Sequence, residues 1–404
     1  MKNALLHGFL TLLGRAEMAS VGYVRRTTLA GAFISFMGCG GITVADSAER
    51  TAASPMTAAS GDSGDSGSAV LNRANAFIAT LSNKQRADLI QEYTFANAAR
   101  WHTYPQWGLS RRQARLGLRL GTLSDAQWIA LNALLAAATG SGKNEGYDEI
   151  QQHLAVDDWI GQNGGGDGYG RGNFFVAFLS TPSQTGVWQL QFGGHHLALT
   201  NTYRGGTLIG ATPSFRAIEP HTPIQYGGVA LQPQRDEWAA FVALLASLNP
   251  AQATAARLAT KQSELLLGPE ARNKDWNFPA KPEGVAAAHL SAGQRALLLK
   301  SIGLYVNDVA DADAARILAH YERELDATYL GFSGSTSLTR TGDYVRIDGP
   351  SVWIELVMDP PYSSDQPHVH AVWRDKHTDY GGTRPNGPQP FALFKSLFAS
   401  WMHT

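Results

Sequence analysis

Four of the chain's twelve histidines fall in two short apolar segments: His195 and His196 within Gly193 to Leu199, and His368 and His370 within Pro367 to Asp375. Side chains alternate across a strand, so a His-x-His pair in extended chain turns both rings to one face, where they form two ready-made ligands for a transition metal. Consecutive histidines point to opposite faces, so only one of His195 and His196 can join His368 and His370. Parity favours His196, which shares a face with Ala198 and Thr200, whereas His195 shares one with Leu197 and Leu199.

Imidazole sets suit Zn, Cu or Fe, and three protein ligands beside an open position are the pattern of a catalytic centre. Glu355 and Asp375 are the nearest carboxylates on strand-like sequence and join His196 as candidate catalytic groups, as a further ligand or an acid–base partner. Arg204 and Arg374 could grip a carboxylate or phosphate of the substrate through their guanidinium forks, and Tyr380 closes that site. The alternative is a set of hydrogen-bonded structural histidines in a packed sheet. His153 and His320, on helical sequence, are read as structural.

Strands must carry these residues, and helices must cover the strands. Ser82 with Gln85, Ser124 with Gln127 and Ser291 with Gln294 each have capping-box spacing and open a run of apolar residues at helical period. The last two starts belong to a longer correspondence. Each is followed 26 residues later by an Ile-x-x-His helix segment, Ile150 to His153 and Ile317 to His320, and then by two apolar strand-like runs. These are Asn173 to Ser180 with Val187 to Gln191 in one half, and Thr328 to Ser333 with Val352 to Leu356 in the other.

Each half then reaches a histidine segment, so the two histidine segments are expected to be equivalent copies. Short links such as Thr181 to Gly186 suit hairpins and not crossovers. The expectation is an α+β fold, an internally duplicated helix–helix–β-meander unit with mostly antiparallel sheets meeting at a pseudo-twofold junction covered by helices. Residues 68–404 form one such domain, with halves at about 68–234 and 235–404. Helices are expected over Asp236 to Leu248, Ala251 to Leu267 and Phe391 to Met402, and the glycine-rich Gly164 to Gly172 is expected to be a mobile loop.

Acidic and basic residues nearly cancel (34 against 33), which argues against a nucleic-acid surface or a polybasic membrane patch and points to a small-molecule substrate or ligand. The single cysteine, Cys39, ends a segment that begins with Arg25 and Arg26 and continues through apolar Leu29 to Gly38. Residues 1–45 therefore read as an export signal of twin-arginine type, and Phe36 to Cys39 resembles a lipobox. Translation starts at Met1 or Met18. Residues 46–67, small and polar, are a flexible linker. The protein is expected to be exported, periplasmic or lipid-anchored, touching a membrane only through that anchor.

Five stretches carry a family resemblance: Phe178 to Ser183, Trp188 to Leu199, Ala211 to Phe215, Tyr344 to Pro350, and His368 to Asp375 with Asp379 to Gly381. With these the chain resembles a bacterial family of uncharacterised proteins, DUF3500, over most of its length after residue 70. The resemblance implies no activity and no catalytic residue. The functional expectation rests on the histidines: an exported metal-dependent hydrolase or oxidoreductase, or else a lipoprotein that captures a metal or small ligand without chemistry.

Overall fold

The computed structural model describes residues 66–109, 114–269, 278–362 and 364–382. The export segment with Cys39, the linker up to residue 65 and the expected helix Phe391 to Met402 lie outside the described residues. Nine α-helices lie among the described residues; apart from the single turn Phe95–Ala98 they form two sets of four. The first set is α1 (Ser66–Thr80), α2 (Asn83–Leu89), α3 (Asp125–Ala138) and α4 (Gly146–Ile160). The second is α5 (Arg235–Ala246), α6 (Pro250–Ala256), α7 (Ala292–Val306) and α8 (Asp311–Arg323).

All three expected capping boxes are present, and a fourth joins them at Asn249 and Gln252. They work in pairs. Gln85 and Gln127 exchange amide hydrogen bonds, each Nε2 donating to the other's Oε1 at 3.0 Å, which locks the start of α2 to that of α3. Gln252 and Gln294 do the same for α6 and α7, at 3.0 and 2.8 Å. A single side chain thus closes its own helix end and orients the neighbouring helix.

The expected helix from Ala251 to Leu267 is shorter than its sequence suggested. It ends at Ala256 because Arg257 joins the sheet edge, bridging parallel to Phe332, and the Leu258 amide donates to the Phe332 carbonyl. A tertiary strand contact outweighs helix propensity there.

Ten strands form one continuous path. They are β1 (Leu118–Arg119), β2 (Phe175–Leu179), β3 (Val187–Gly194), β4 (Leu197–Arg204) and β5 (Ser214–Ile218), then β6 (Val285–Ala286), β7 (Tyr329–Ser333), β8 (Tyr344–Asp348), β9 (Val352–Asp359) and β10 (His368–Asp375). Their spatial order is β1-β2-β3-β4-β5-β10-β9-β8-β7-β6, and every pair along it is antiparallel. Ile90 and Gln91 add a parallel pairing outside β2, as Arg257 does outside β7. The fold is α+β with a mostly antiparallel sheet.

Pairings in the two halves match. Gln189 opposes Thr202 and Gly193 opposes Ala198, as Tyr344 opposes Val357 and Asp348 opposes Trp353. Leu197 opposes Arg216 as Val352 opposes Asp375. By sheet position, therefore, β4 corresponds to β9 and β5 to β10. The two histidine segments are not equivalent: β10 carries His368 and His370, while His195 and His196 lie in the hairpin turn between β3 and β4. Sequence order suggested equivalence because both segments close their half, but hydrogen-bond register assigns them different positions.

The sheet has two unlike faces. The helices cover one, where Val369, Ala371 and Trp373 of β10 join the large core with Leu131, Leu154, Leu298 and Tyr305. His368, His370, Val372 and Arg374 alternate onto the other face. There Val372 packs with Phe215, Ala217, Trp101 and Tyr380 under the irregular segments around residues 93–116 and 376–382. Among the described residues no helix is long and apolar enough to cross a membrane.

Candidate metal centre

The His-x-His argument survives in three dimensions. His368 and His370 open β10 on one face, and their Nε2 atoms stand 2.9 Å apart. His196 arrives from the β3–β4 turn by a different route from the one parity suggested. Gly194 pairs with Leu197, leaving His195 and His196 as a two-residue turn with no strand alternation, and His196 takes a left-handed backbone at φ 61°. Such a conformation costs a non-glycine residue on the order of 1–2 kcal/mol and persists where the surroundings impose it.

The surroundings here are backbone bonds on both sides. The His196 amide donates to the Thr103 carbonyl at 2.9 Å, and its carbonyl accepts from the Ala217 amide at 2.8 Å. Ala217 is also the register partner of His370, so one residue of β5 presses the turn against β10. Gly194 permits the approach, since a Cβ there would lie 2.4 Å from the Phe174 ring.

His196, His368 and His370 each offer a ring nitrogen, and the three lie within 4.8 Å of one another. Three imidazoles on a tetrahedral ion at about 2.0–2.1 Å would have nitrogens about 3.4 Å apart, so small ring adjustments suffice. The chemistry of the donors fits as well. Burial, reinforced by the neighbouring imidazoles, holds His196 and His370 well below the usual histidine range. Burial lowers His368 too, against an opposing pull from Glu219. All three are neutral at pH 7, the state in which a ring nitrogen can donate its lone pair.

His195 does not face the set. Its ring lies flat on that of His196, with centroids 3.8 Å apart, and its Nδ1 is 2.7 Å from Asp157 Oδ1. Asp157, near the end of α4, also accepts from the Gly170 amide at 2.7 Å, and Asp158 accepts from the Arg171 amide. The glycine-rich loop is thus tied down at its C-terminal end, and it holds Tyr169 edge-on to His195 at 5.0 Å.

The structure gathers a group that sequence reasoning passed over. Asp359, the last residue of β9, pairs in register with His368 and sets Oδ2 3.8 Å from His370 Nε2. Burial, with Glu264 and Glu219 nearby, pushes its carboxyl up to about 6. The signal was available: Glu355, Val357 and Asp359 alternate onto the histidine face. Asp157 had a weaker one, a helical spacing of four from His153.

The other expected site residues are not brought to the centre. Glu355 lies on the same face but is fully buried and committed. It accepts from the Leu266 and Leu267 amides, the Tyr344 hydroxyl and the Trp353 indole. Asp375 faces the helices and accepts from the Tyr321 hydroxyl and the His377 and Thr378 amides.

Arg374 is closed off inside the molecule, paired with Asp379 at 2.7 Å and donating to the Leu267 carbonyl. Tyr380 is buried beside it and takes a hydrogen bond from the Trp101 indole at 2.8 Å. Arg204 ends β4, eight residues and so roughly 25 Å of strand from His196. His153, by contrast, is structural in geometry, its ring nitrogens 3.0 and 3.1 Å from the Glu149 and Ala217 carbonyl oxygens.

One family model, described as a protein of unknown function (DUF3500), matches residues 63–382. None of the curated proteins compared matches the chain. No solved structure matches it either.

Proposed function

The chain belongs to the DUF3500 family, which brings no activity with it, and we propose from the site itself that this is a metal-dependent enzyme, a hydrolase or an oxidoreductase, with one ion held by His196, His368 and His370. The observation that carries the reading is the convergence of three neutral imidazoles, two buried and one partly so, from two separate parts of the chain, beside a carboxyl poised near 6. Zn, Cu or Fe suits the donors. When bound, such an ion supplies Lewis acidity and an acidified water, or a redox couple.

The chain's own residues do the rest. Three imidazoles leave a tetrahedral position open, and Asp359 Oδ2 is the group placed to take or return a proton beside it. His195, held by Asp157, fixes the His196 ring, as second partners of metal ligands do. Arg204, Arg374, Glu355 and Asp375 have other commitments or positions, so an anionic substrate grip by the two arginines is no part of the reading.

Elemental analysis of purified full-length protein tests the centre. About one equivalent of Zn, Cu or Fe is expected, lost in His368→Ala and His370→Ala; a metal-free wild type, or variants that keep their metal, would sink it. Turnover of a panel of esters, phosphates and oxidisable substrates, abolished by the same variants, then separates an enzyme from a protein that only captures metal. The matched pairings of the two halves further support an internal duplication. Relatives whose two halves share no residues at the matched positions would count against it. Export rests on Arg25, Arg26 and the apolar run after them, and cell fractionation tests it.

A further inference from the structure

Between the centre and solvent runs an unbroken file of rings. The His196 ring is 5.3 Å from His368 and 5.2 Å from His370, centroid to centroid. Outward, His195 stacks on His196 at 3.8 Å, Tyr169 meets His195 at 5.0 Å, and Trp107 meets Tyr169 at 6.2 Å. Trp107, on the short turn Gln106–Gly108, is 58 % exposed.

Singly exposed apolar residues are ordinary on a protein surface; what sets Trp107 apart is its fixed place at the end of the file. Trp107 is held. Gly168 sits so close that a Cβ there would fall 2.4 Å from the indole Cδ1, so the loop carries its barest residue against this ring. Tyr169 in turn is placed by Asn173, whose amide donates to the Tyr169 carbonyl at 2.7 Å, and by the tie of Gly170 to Asp157.

Resting on the metal-centre reading above, we propose that Trp107, Tyr169 and His195 form a one-electron path between the His196–His368–His370 centre and a redox partner docking at the surface around Trp107. Tunnelling falls off exponentially with distance, and filled π systems at van der Waals contact divide a long gap into short ones. The step balances simply. One electron leaves the reduced centre, which is oxidised by one unit, and arrives on a one-electron acceptor outside Trp107, which is reduced by one. No bond forms or breaks, and Tyr169 keeps its phenolic proton. The path selects oxidoreductase over hydrolase and copper or iron over zinc. It places the acceptor at Trp107, three rings out from His196.

The test uses full-length protein loaded with Cu(II), reduced with ascorbate under argon, desalted, and mixed by stopped flow with oxidised cytochrome c, a one-electron acceptor that is itself a protein and so reacts at the surface. Haem absorbance reports the arrival of the electron. Trp107→Ala and Tyr169→Leu are each expected to slow it at least tenfold, with copper content and the Cu(II) EPR spectrum unchanged. Tyr169→Phe, which keeps the ring, is expected to keep the rate.

Equal rates in wild type and Trp107→Ala would overturn the path. A wild type that holds zinc but no copper or iron overturns the path while the metal centre stands, and one that holds no metal overturns both.

Discussion

The turn Gly194 to Leu197 and the turn Gly349 to Val352 occupy matching places in the sheet, each joining the third and fourth strand of its half. Each is clamped by a carboxylate from the end of the preceding helix pair. Asp157 takes the His195 ring in the first; Glu324 takes the Ser351 amide and hydroxyl, both at 3.0 Å, in the second. The second turn even has an imidazole nearby, with His320 Nε2 3.1 Å from the Ser351 hydroxyl. That ring stands on a half-exposed helix surface, and among the described residues the histidines that converge are His196, His368 and His370. The scaffold alone makes no site. The first turn differs because its second residue is a histidine in a left-handed conformation, and because the strand two places away brings two more.

The largest separation between the turns should appear in metal content. His196→Ala is expected to remove the bound ion altogether, while His320→Ala leaves it at full stoichiometry; inductively coupled plasma analysis of the two variants decides. Equal losses would mean that the two turns do not differ as described.

Next come the clamps. Asp157→Asn frees the His195 ring that packs on His196 and should weaken metal affinity by less than the roughly 10- to 100-fold that follows loss of a ligand's own hydrogen-bond partner. Glu324→Gln should leave affinity alone and lower stability by about 1–2 kcal/mol, as expected for a weakened charge-assisted hydrogen bond. Competition with a chromophoric chelator and urea unfolding measure the two quantities separately.

The strands behind the turns differ in the same instructive way. Arg216 on β5 and Asp375 on β10 hold matching places and face the helices with opposite charge. Arg216 is buried with Glu149 and Asp308, each 2.6 Å away, and with Glu237 close by. One guanidinium cannot balance three carboxylates. Burial, only partly offset by Arg216, pushes Asp308 up to about 8.

A carboxyl raised in the folded state holds its proton there while the unfolded chain, at the ordinary 3.8, has released it. Its contribution to stability is complete below the unfolded value and is lost as pH rises through the folded one. Wild type should therefore lose stability between about pH 4 and pH 8, and Asp308→Asn should flatten that slope. Urea midpoints across this range provide the measurement, and an unchanged slope in the variant would remove Asp308 as the cause.

A further comparison concerns the glycines that open each turn. Gly194→Ala drives a methyl into the Phe174 ring and should cost about 1–3 kcal/mol, the range for overpacking. Gly349→Ala meets the Thr328 hydroxyl at 2.6 Å and Val352 Cγ1 at 2.8 Å, and should cost a similar amount because the buried hydroxyl is already bonded to the Glu324 carbonyl. Thermal unfolding of the pair compares them.

These differences mark what the sequence could and could not disclose. Three capping boxes were legible because their chemistry is local: Ser or Thr, two residues, Gln. The exchange of amide bonds between Gln85 and Gln127 was not, since it depends on two helix starts meeting 42 residues apart. His368 and His370 were legible through strand period.

His196 was reached by a parity argument that does not apply, because a Gly-Gly-His-His segment looks like strand until the tight hairpin is known. Asp359 was hidden by attention to the charged Glu355 and Asp375, whose strands were identified but whose partners were not. Glu355 is absorbed by two backbone amides from a segment 88 and 89 residues away, a commitment no local pattern announces.

The ligand set itself is divided: His196 comes from the first half and His368 with His370 from the second, and they meet only where β5 pairs with β10. On the proposed reading, an ion bound there would tie two distant lengths of chain across the β5–β10 seam. It would bind the completed sheet and not the open chain, so metal supply would become a term in the molecule's cohesion. At a hundredfold excess over the dissociation constant that term is about 2.7 kcal/mol. A metal-starved cell would therefore see the seam between the halves loosen first, with protease sensitivity and hydrogen exchange rising along β5 and β10 before anywhere else in the sheet.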